Sequence, residues 1–270
     1  MAEEVAQLLA RLVRARGVNP MGGDASRPGY NEEAPAAIVQ DFLRSIGLAP
    51  TTQEVAPHRA NVWALTPGAP DALPVIFTAH LDTVPAETWT GDPWDAAIRD
   101  GYLHGRGSCD TKASLAAMLI ALGRFIAKGA GPRPILFLAT CDEESGHGGA
   151  RAWAALGRKA LFGVVGEPTG LEIVRAHKGI ARWDLRTTGV SAHSSSRDKG
   201  VCAITRMARV VLCLERFYQD VLRHRRHPLL GSASLSVGVI HGGQNVNTVA
   251  SRCEIQVDRR LLPGETPATA

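Results

Sequence analysis

The sequence predicts an α/β protein with a mostly parallel sheet flanked by helices, followed by a smaller α+β part. Three observations lead to this class. Segments with the period of a strand alternate with segments that have the period of a helix. Two of the strand-like segments, PILFLAT and LFGVVG, are apolar throughout, as parallel strands covered on both faces are. From residue 178 onward the strand-like segments instead alternate polar and apolar residues.

The first helices and strands follow from local periodicity and stop signals. Residues 3–16 and 32–46 have the spacing of amphipathic helices, and Gly47 supplies a stop signal for the second. The runs NVWAL and PVIFTA predict strands at residues 61–65 and 74–79. We therefore expect two helices before the central strands.

The next segments repeat the order of strand and helix. A long apolar helix begins at Lys112, and the apolar run from Pro134 predicts a buried central strand. AWAAL predicts a short helix, and residues 161–166 predict another buried strand. This order implies parallel connections within one sheet. We expect these elements to form a first domain at residues 1–177.

A different pattern begins near Lys178 and predicts a second domain at residues 178–270. IARWDLRTTG alternates as a half-exposed strand does, and a helix is predicted from about residue 200 to 222. SLSVGVIHGG and SRCEIQVDRRLL predict two more strands. A β, α, β, β order of this kind is typical of a small antiparallel α+β module.

Composition excludes several classes of protein. The chain has 270 residues, 45% hydrophobic and 21% charged, which suits a globular protein with a sizeable core. A net charge of +4 is too small to indicate a nucleic acid or a membrane surface as partner. No apolar segment approaches the ~20 residues of a membrane span. Five scattered cysteines without a CxxC pair favour reduced thiols, so we expect a cytoplasmic protein.

Titratable side chains stand where the predicted buried strands end or where the long helix begins. In an α/β sheet the carboxyl ends of the strands form the ligand-binding crevice, so these side chains are expected to converge. One histidine among several carboxylates is a ligand set for zinc, and the carboxylates would repel one another without a divalent cation. The group consists of His80, Asp82, Asp110, Glu143, Glu144 and Glu167.

Spacing within this group predicts different roles for neighbouring residues. Residues two apart in a strand face the same side, so Asp82 is expected to accept the proton of the His80 ring nitrogen that does not bind metal. Glu143 and Glu144 are adjacent at a strand end and point in different directions. One of them is then free to bind metal while the other handles the proton of the attacking water.

Four motifs, HLDTVP, GRGSCDTK, DEESG and GEPT, occur in this order and carry a family resemblance. The chain resembles the zinc-dependent aminoacylases and peptidases that include acetylornithine deacetylase, succinyl-diaminopimelate desuccinylase and carboxypeptidase G. HKG, AHSS and GVIHGG make it most similar to the acetylornithine deacetylase branch. The resemblance covers essentially the whole chain. It implies a zinc-peptidase-like catalytic domain with an inserted ferredoxin-like lid or dimerisation domain.

The resemblance also implies a role for each residue of the first domain. Asp110 bridges two zinc ions, Glu143 is the general base, and Asp82 orients a histidine ligand. His80 and Glu167 complete the first zinc site, and Glu144 belongs to the second. The implied metal ligands are His80, Asp110, Glu144 and Glu167.

In the second domain the resemblance implies three further site residues. His193, in SAHSS, matches the lid histidine that stabilises the oxyanion, often across a dimer interface. Asn247, in GGQNVNTV, and Arg260, in VDRR, match positions that contact substrate. The family's organisation thus implies a homodimer formed through the lid domain.

The implied function is hydrolysis of the amide bond of an N-acyl amino acid by a water that two zinc ions activate. Co²⁺ is a substitute metal, and the partners are a small N-acyl amino acid or dipeptide, without nucleic acid or membrane. A zinc dipeptidase or carboxypeptidase is the alternative. Family members supply a second-zinc histidine from a later segment, so we expect a C-terminally truncated chain with an incomplete lid domain. A further alternative is an inactive truncated relative that acts as a dimerising binding module.

Overall fold

The computed structural model describes residues 2–129 and 131–270, and the chain divides into two compact units. Unit 1 ends at Leu171, and unit 2 spans Glu172–Ala270. The predicted α/β class is confirmed. The predicted boundary between residues 177 and 178 and the roles of the two domains stay predictions.

Unit 1 contains four helices and seven strands among its described residues. Most of the predicted segments form the predicted element within a few residues at each end, as expected for boundaries read from a pattern. The elements are α1 Ala2–Arg14, α2 Glu33–Ser45, β1 Thr51–Ala56, β2 Arg59–Leu65, β3 Val75–His80, β4 Ile98–Arg99, β5 Tyr102–Leu103, α3 Lys112–Ala127, β6 Ile135–Thr140, α4 Gly148–Ala155 and β7 Phe162–Val165.

A five-stranded mixed sheet in the order β1-β2-β6-β3-β7 organises unit 1. Strand β3 pairs in parallel with both β6 and β7. Strand β2 pairs antiparallel with β1 and with β6. Parallel pairing is therefore confined to the three strands that precede the predicted site residues, and it brings their carboxyl ends to the same edge of the sheet. The polar segment TTQEVA of β1 was not predicted as a strand.

Strand β6 shows how the two faces of this sheet are covered. Its alternate residues Phe137 and Ala139 pack into the core formed with α1, α2 and α3. Leu136 and Leu138 face the other way and pack against Trp153 of α4. Burying one such leucine or phenylalanine contributes about 1.5–3 kcal/mol, so β6 is held from both sides.

The expectation of a buried strand at residues 161–166 is wrong. All four residues of β7 are exposed, and Phe162 and Val165 keep 55% and 64% of their accessible surface. The strand lies at the edge of the sheet and has a neighbour on one side only, which is β3 among the described residues. Its apolar composition alone could not distinguish a central position from an edge position.

Unit 2 is an antiparallel α+β unit. Its main sheet has the order β11-β12-β8, and α5 packs against it through Ala203 and Met207. Within residues 2–129 and 131–270, no helix combines the length and apolar character that crossing a membrane requires. The elements are β8 Gly179–Thr188, α5 Ala203–Asp220, β9 Arg226–His227, β10 Gly231–Ser232, β11 Ser234–Gly242 and β12 Arg252–Leu261, with 3₁₀ helices at Ser194–Lys199 and Leu222–His224.

Unit 2 contains a buried ion pair between Arg259 and Glu265. The side chain of Arg259 is 1% exposed, and its Nη2 donates to both carboxylate oxygens of Glu265 at 3.0 Å. The same carboxylate accepts the amide proton of Leu262 at 2.8 Å and pairs with Arg225. Burial raises the pKa of Glu265, but these donors outweigh burial and hold it below the ordinary value of 4.5.

We predict that Glu265→Gln lowers the free energy of unfolding by roughly 3–5 kcal/mol at neutral pH, because it leaves the buried Arg259 guanidinium without an opposite charge. Since the folded pKa is depressed, the carboxylate stabilises the fold above its unfolded pKa, and this is lost as pH falls through the folded pKa. Denaturant titrations of both proteins at several pH values measure the difference. It should shrink as the pH falls below 4.5, and a constant difference would contradict the prediction.

The control for this experiment is Asp41→Asn. Asp41 pairs with Arg44 at 3.0 Å on an exposed helix surface. Exposed pairs of this kind contribute little, so this variant should unfold almost as the wild type does.

Candidate active site

His80 lies at the centre of the predicted group and is almost completely buried, with 2% of its surface exposed. Its Nδ1 lies 2.9 Å from the backbone carbonyl oxygen of Asp82 and 3.7 Å from a carboxylate oxygen of the same residue. The carbonyl can only accept, so Nδ1 carries a proton, and Nε2 is the ring nitrogen that faces the crevice and is available to a metal ion.

The partner of Nδ1 is therefore the main chain of Asp82, whereas its carboxylate was expected. The reason is that β3 ends at His80, so the strand alternation behind the expectation does not extend to residue 82. The consequence for the ring is the same, because either acceptor fixes the tautomer and the orientation.

The predicted carboxylates converge on Nε2 of His80. Oδ1 of Asp110 lies 3.2 Å from this nitrogen, Oε1 of Glu167 lies 3.9 Å away and Oε2 of Glu143 lies 4.0 Å away. Three of these residues each offer one ligand atom, and the three atoms lie within 4.8 Å of one another. The residues are His80, Asp110 and Glu144. The structure thus brings together residues from the ends of β3, β6 and β7 and from the start of α3.

The electrostatics of this cluster fit a divalent cation. Burial, followed by the negative charges of its neighbours, raises the pKa of Glu144 to about 7 although His80 opposes the shift. Burial lowers the pKa of His80, but the hydrogen bond to Asp110 and the surrounding carboxylates outweigh it and raise that pKa to about 9. A divalent cation would offset this surplus of negative charge. One imidazole and several carboxylates are donors that zinc accepts.

The carboxylate of Asp82 orients the loop after β6. It is fully buried, and it accepts the amide protons of Glu143 and Glu144, each at 3.1 Å. The side chain of Glu144 is further fixed by the amide of Val84, which donates to Oε1 at 3.2 Å. The two glutamates therefore project from a main chain that a buried charge holds in place.

Asp110 and Glu167 are linked through the residues beside them. The Asp110–Thr111 peptide bond is cis, and the Thr111 hydroxyl donates a hydrogen bond to the carbonyl oxygen of Gly166. A Cβ at Gly166 would lie 2.5 Å from the Cβ of Ser114 in α3, so glycine permits the close approach of this helix. The start of α3 and the end of β7 are thus held together at the crevice.

The three predicted site residues of unit 2 lie in two places. His193 and Asn247 are neighbours, since the amide that follows His193 donates to the carbonyl of Asn247 at 2.9 Å. Nδ1 of His193 accepts the amide proton of Ser195 at 3.3 Å, and the Ser195 hydroxyl lies 2.8 Å away. Arg260 belongs to β12, where its Nε pairs with Asp258 at 2.8 Å.

Four polar residues behind the crevice, two of them buried and two partly buried, were missed by the sequence reasoning. Asp142 immediately precedes Glu143, and this adjacency could have marked it. The others occur in stretches with no motif of their own, in the connection after α1, directly before α2 and at the start of β2. The four residues are Asn19, Glu32, Arg59 and Asp142.

The chain belongs to the Peptidase family M20/M25/M40, whose model matches residues 76–269. Acetylornithine deacetylase of Vibrio vulnificus (strain CMCP6) is 34% identical over 247 residues, which are 89% of this chain and 65% of that protein. Acetylornithine deacetylase of Proteus mirabilis (strain HI4320) is 33% identical over 246 residues, which are 89% of this chain and 63% of that protein. The chain thus spans less than two thirds of the length of these curated relatives.

Solved structures share the fold at low sequence identity. A metallo-carboxypeptidase from Sulfolobus solfataricus matches with a TM-score of 0.79 and 18% identity over 98% of this chain and 72% of that one. Human carnosine dipeptidase 1 matches with a TM-score of 0.70 and 16% identity over 98% of this chain and 71% of that one. These likenesses confirm the predicted zinc-peptidase-like fold.

We predict that His80→Ala weakens the binding of Zn²⁺ or Co²⁺ by more than about 100-fold. The substitution removes the imidazole of the cluster, and even residues that only orient ligands change affinity 10–100-fold. Elemental analysis of the purified chain and calorimetric titration measure the change. His58→Ala is the matched control, because His58 is exposed and pairs with Glu33 at 3.0 Å. Equal metal affinity in the two variants would contradict the assignment.

Proposed function

We propose that this chain belongs to a metal-dependent amide hydrolase that removes the acyl group of an N-acyl amino acid. The observation that carries the proposal is the convergence of His80 with the carboxylates at the strand ends. The similarity to acetylornithine deacetylases supports N-acetylornithine as the first substrate to test. The five cysteines are free thiols, which suits a cytoplasmic enzyme.

Two metal ions, with zinc as the first choice and Co²⁺ as a substitute, would be held by four residues of unit 1. Asp110 is assigned to both ions. When bound, zinc would supply a nucleophile at neutral pH, because it lowers the pKa of a water molecule to about 7. The four proposed ligands are His80, Asp110, Glu144 and Glu167.

Glu143 is the proposed general base. Its carboxylate reaches the crevice, with Oε2 4.0 Å from Nε2 of His80, and its side chain is 39% exposed, so water has access to it. It takes a proton from the attacking water and later delivers that proton to the leaving amine. The hydrogen bond from its amide to Asp82 fixes the main chain from which this carboxylate acts.

His193 is the proposed donor to the oxyanion of the tetrahedral intermediate. An amide N–H can only donate, so the contact with Ser195 makes Nδ1 an acceptor and puts the proton of the neutral ring on Nε2. A histidine in this tautomer presents an N–H toward developing negative charge, which is the chemistry an oxyanion needs.

Asn247 and Arg260 are proposed to contact the substrate. Arg260 presents a guanidinium that is 43% exposed, and a guanidinium pairs with a carboxylate through two parallel hydrogen bonds. The α-carboxylate of an acylated amino acid suits such a partner. Asn247 lies beside His193 and offers an amide for hydrogen bonds to the acyl group.

A homodimer through unit 2 is part of the proposal. The helix α5 and the strand β11 carry exposed apolar side chains, including Leu212 at 58% and Ile240 at 54%. A contiguous patch of such side chains would suit a surface that binds another protein. Sedimentation of the purified chain measures the oligomeric state.

We predict that Glu143→Ala lowers kcat for N-acetylornithine by about 10²–10⁴-fold, because it removes the group that transfers protons. Zinc content should stay at the wild-type level. The assay follows release of acetate by the full chain in the presence of zinc. Glu172→Ala, at an exposed glutamate of unit 2, is the control and should keep wild-type activity.

The same assay separates the alternatives. Turnover of dipeptides without turnover of N-acetyl amino acids would assign the chain to a dipeptidase or carboxypeptidase and contradict the deacetylase proposal. A wild-type chain that dimerises but hydrolyses neither substrate would favour a non-catalytic binding module.

We predict that His193→Ala lowers kcat by about 10²–10³-fold, the usual cost of losing one oxyanion donor. His193→Gln keeps an N–H donor and should recover part of the loss, while zinc content stays constant in both variants. His227→Ala is the control at another histidine of unit 2. Equal kcat values for His193→Ala and the wild type would exclude the proposed role.

A further inference from the structure

The main chain that carries Glu143 and Glu144 is held by charged groups to which the proposed function gives no role. The guanidinium of Arg59 binds on two sides: Nε donates to Oε2 of Glu32 at 3.0 Å, and Nη1 donates to Oδ1 of Asp142 at 2.8 Å. Glu32 in turn accepts the amide proton of Asp142 at 3.1 Å. Asp142 is thus fixed through its side chain and through its main chain.

A second set of contacts reaches the same loop from the side of β3. Nδ2 of Asn19 donates to Asp82 at 2.8 Å and to Asp142 at 3.1 Å. The amides of residues 142–144 are three consecutive N–H groups that donate to carboxylates from distant segments. The first donates to Glu32, and the other two donate to Asp82. Both carboxylates, Glu32 and Asp82, are fully buried.

The loop needs these contacts to hold its conformation. Asp142 has a φ of 60°, in the left-handed region that few residues other than glycine adopt. Burial raises the pKa of Glu32, and the hydrogen bond from Arg59 opposes that rise. Arg59 supplies the positive charge that lets two acids approach each other behind the crevice, and its planar fork reaches both at once.

We propose that Arg59 is a positioning residue that acts through Glu32 and Asp142 to hold Glu143 and Glu144 where they serve the metal site. This inference rests on the proposed function, because it presumes that Glu144 binds metal. It assigns a role to an arginine that is neither a proposed metal ligand nor a proposed substrate contact.

The test compares Arg59→Lys with the wild-type full chain. Lysine keeps the positive charge but lacks the planar guanidinium with its several donors. It therefore cannot bridge Glu32 and Asp142 as arginine does. We expect Co²⁺ affinity to fall about 10–100-fold, as it does when residues that orient ligands are lost. Hydrogen exchange at the amides of residues 142–144 should also accelerate in the metal-free protein. Leu43→Ala is the control, since it opens a cavity near the far end of α2 and should leave both readouts unchanged.

Each outcome decides the proposal. Wild-type affinity and exchange in a folded Arg59→Lys would overturn it, and so would an equal loss in Leu43→Ala, because general destabilisation would then explain the effect. Should Arg59→Lys fail to fold, Asp142→Asn weakens the same ion pair with little change of shape, and the same two readouts decide.

Glu144→Gln separates this inference from the proposed function. A wild-type Co²⁺ affinity in that variant would refute the ligand assignment and the positioning role together. A loss in Glu144→Gln without a loss in Arg59→Lys would refute the positioning role alone.

Discussion

The carboxylate of Asp82 is the group on which the geometry of the crevice depends. A carboxylate out of reach of water must be satisfied by hydrogen-bond donors, or its desolvation destabilises the fold. Here the donors are Asn19 and the amides of Glu143 and Glu144. Any movement of the loop after β6 would therefore remove two of the three donors from a fully buried carboxylate. The need to satisfy the buried Asp82 carboxylate therefore fixes the main chain from which Glu143 and Glu144 project.

The sheet and the charges contribute different parts of the site. Parallel pairing of β3 with β6 and β7 brings three strand ends to one edge, and the start of α3 adds Asp110. This arrangement places several carboxylates around the imidazole of His80. The same neighbours that raise the pKa of Glu144 hold the proton on His80, so binding of a cation and release of protons are coupled.

Much of the fold and of the crevice was predictable because its signals are local. Apolar runs marked β3 and β6, and the residues that end them were visible as titratable groups after an apolar segment. Strand β1 was not predicted because TTQEVA is polar. The edge position of β7 was not predicted because an apolar run does not reveal which strands lie beside it. The contact between Arg59 and Glu32 was not predicted for another reason. Their pairing joins positions 27 residues apart, and no motif records it.

The contact between Nδ1 of His80 and the backbone carbonyl of residue 82 has a consequence for interpreting substitutions. Every amino acid placed at position 82 brings the same carbonyl, so the tautomer of the imidazole is insensitive to the identity of that side chain. Defects in an Asp82 variant would then report on the loop of the two glutamates and not on the histidine. The main chain of residue 82 thus orients the ring of His80, and its side chain holds the main chain of the two glutamates.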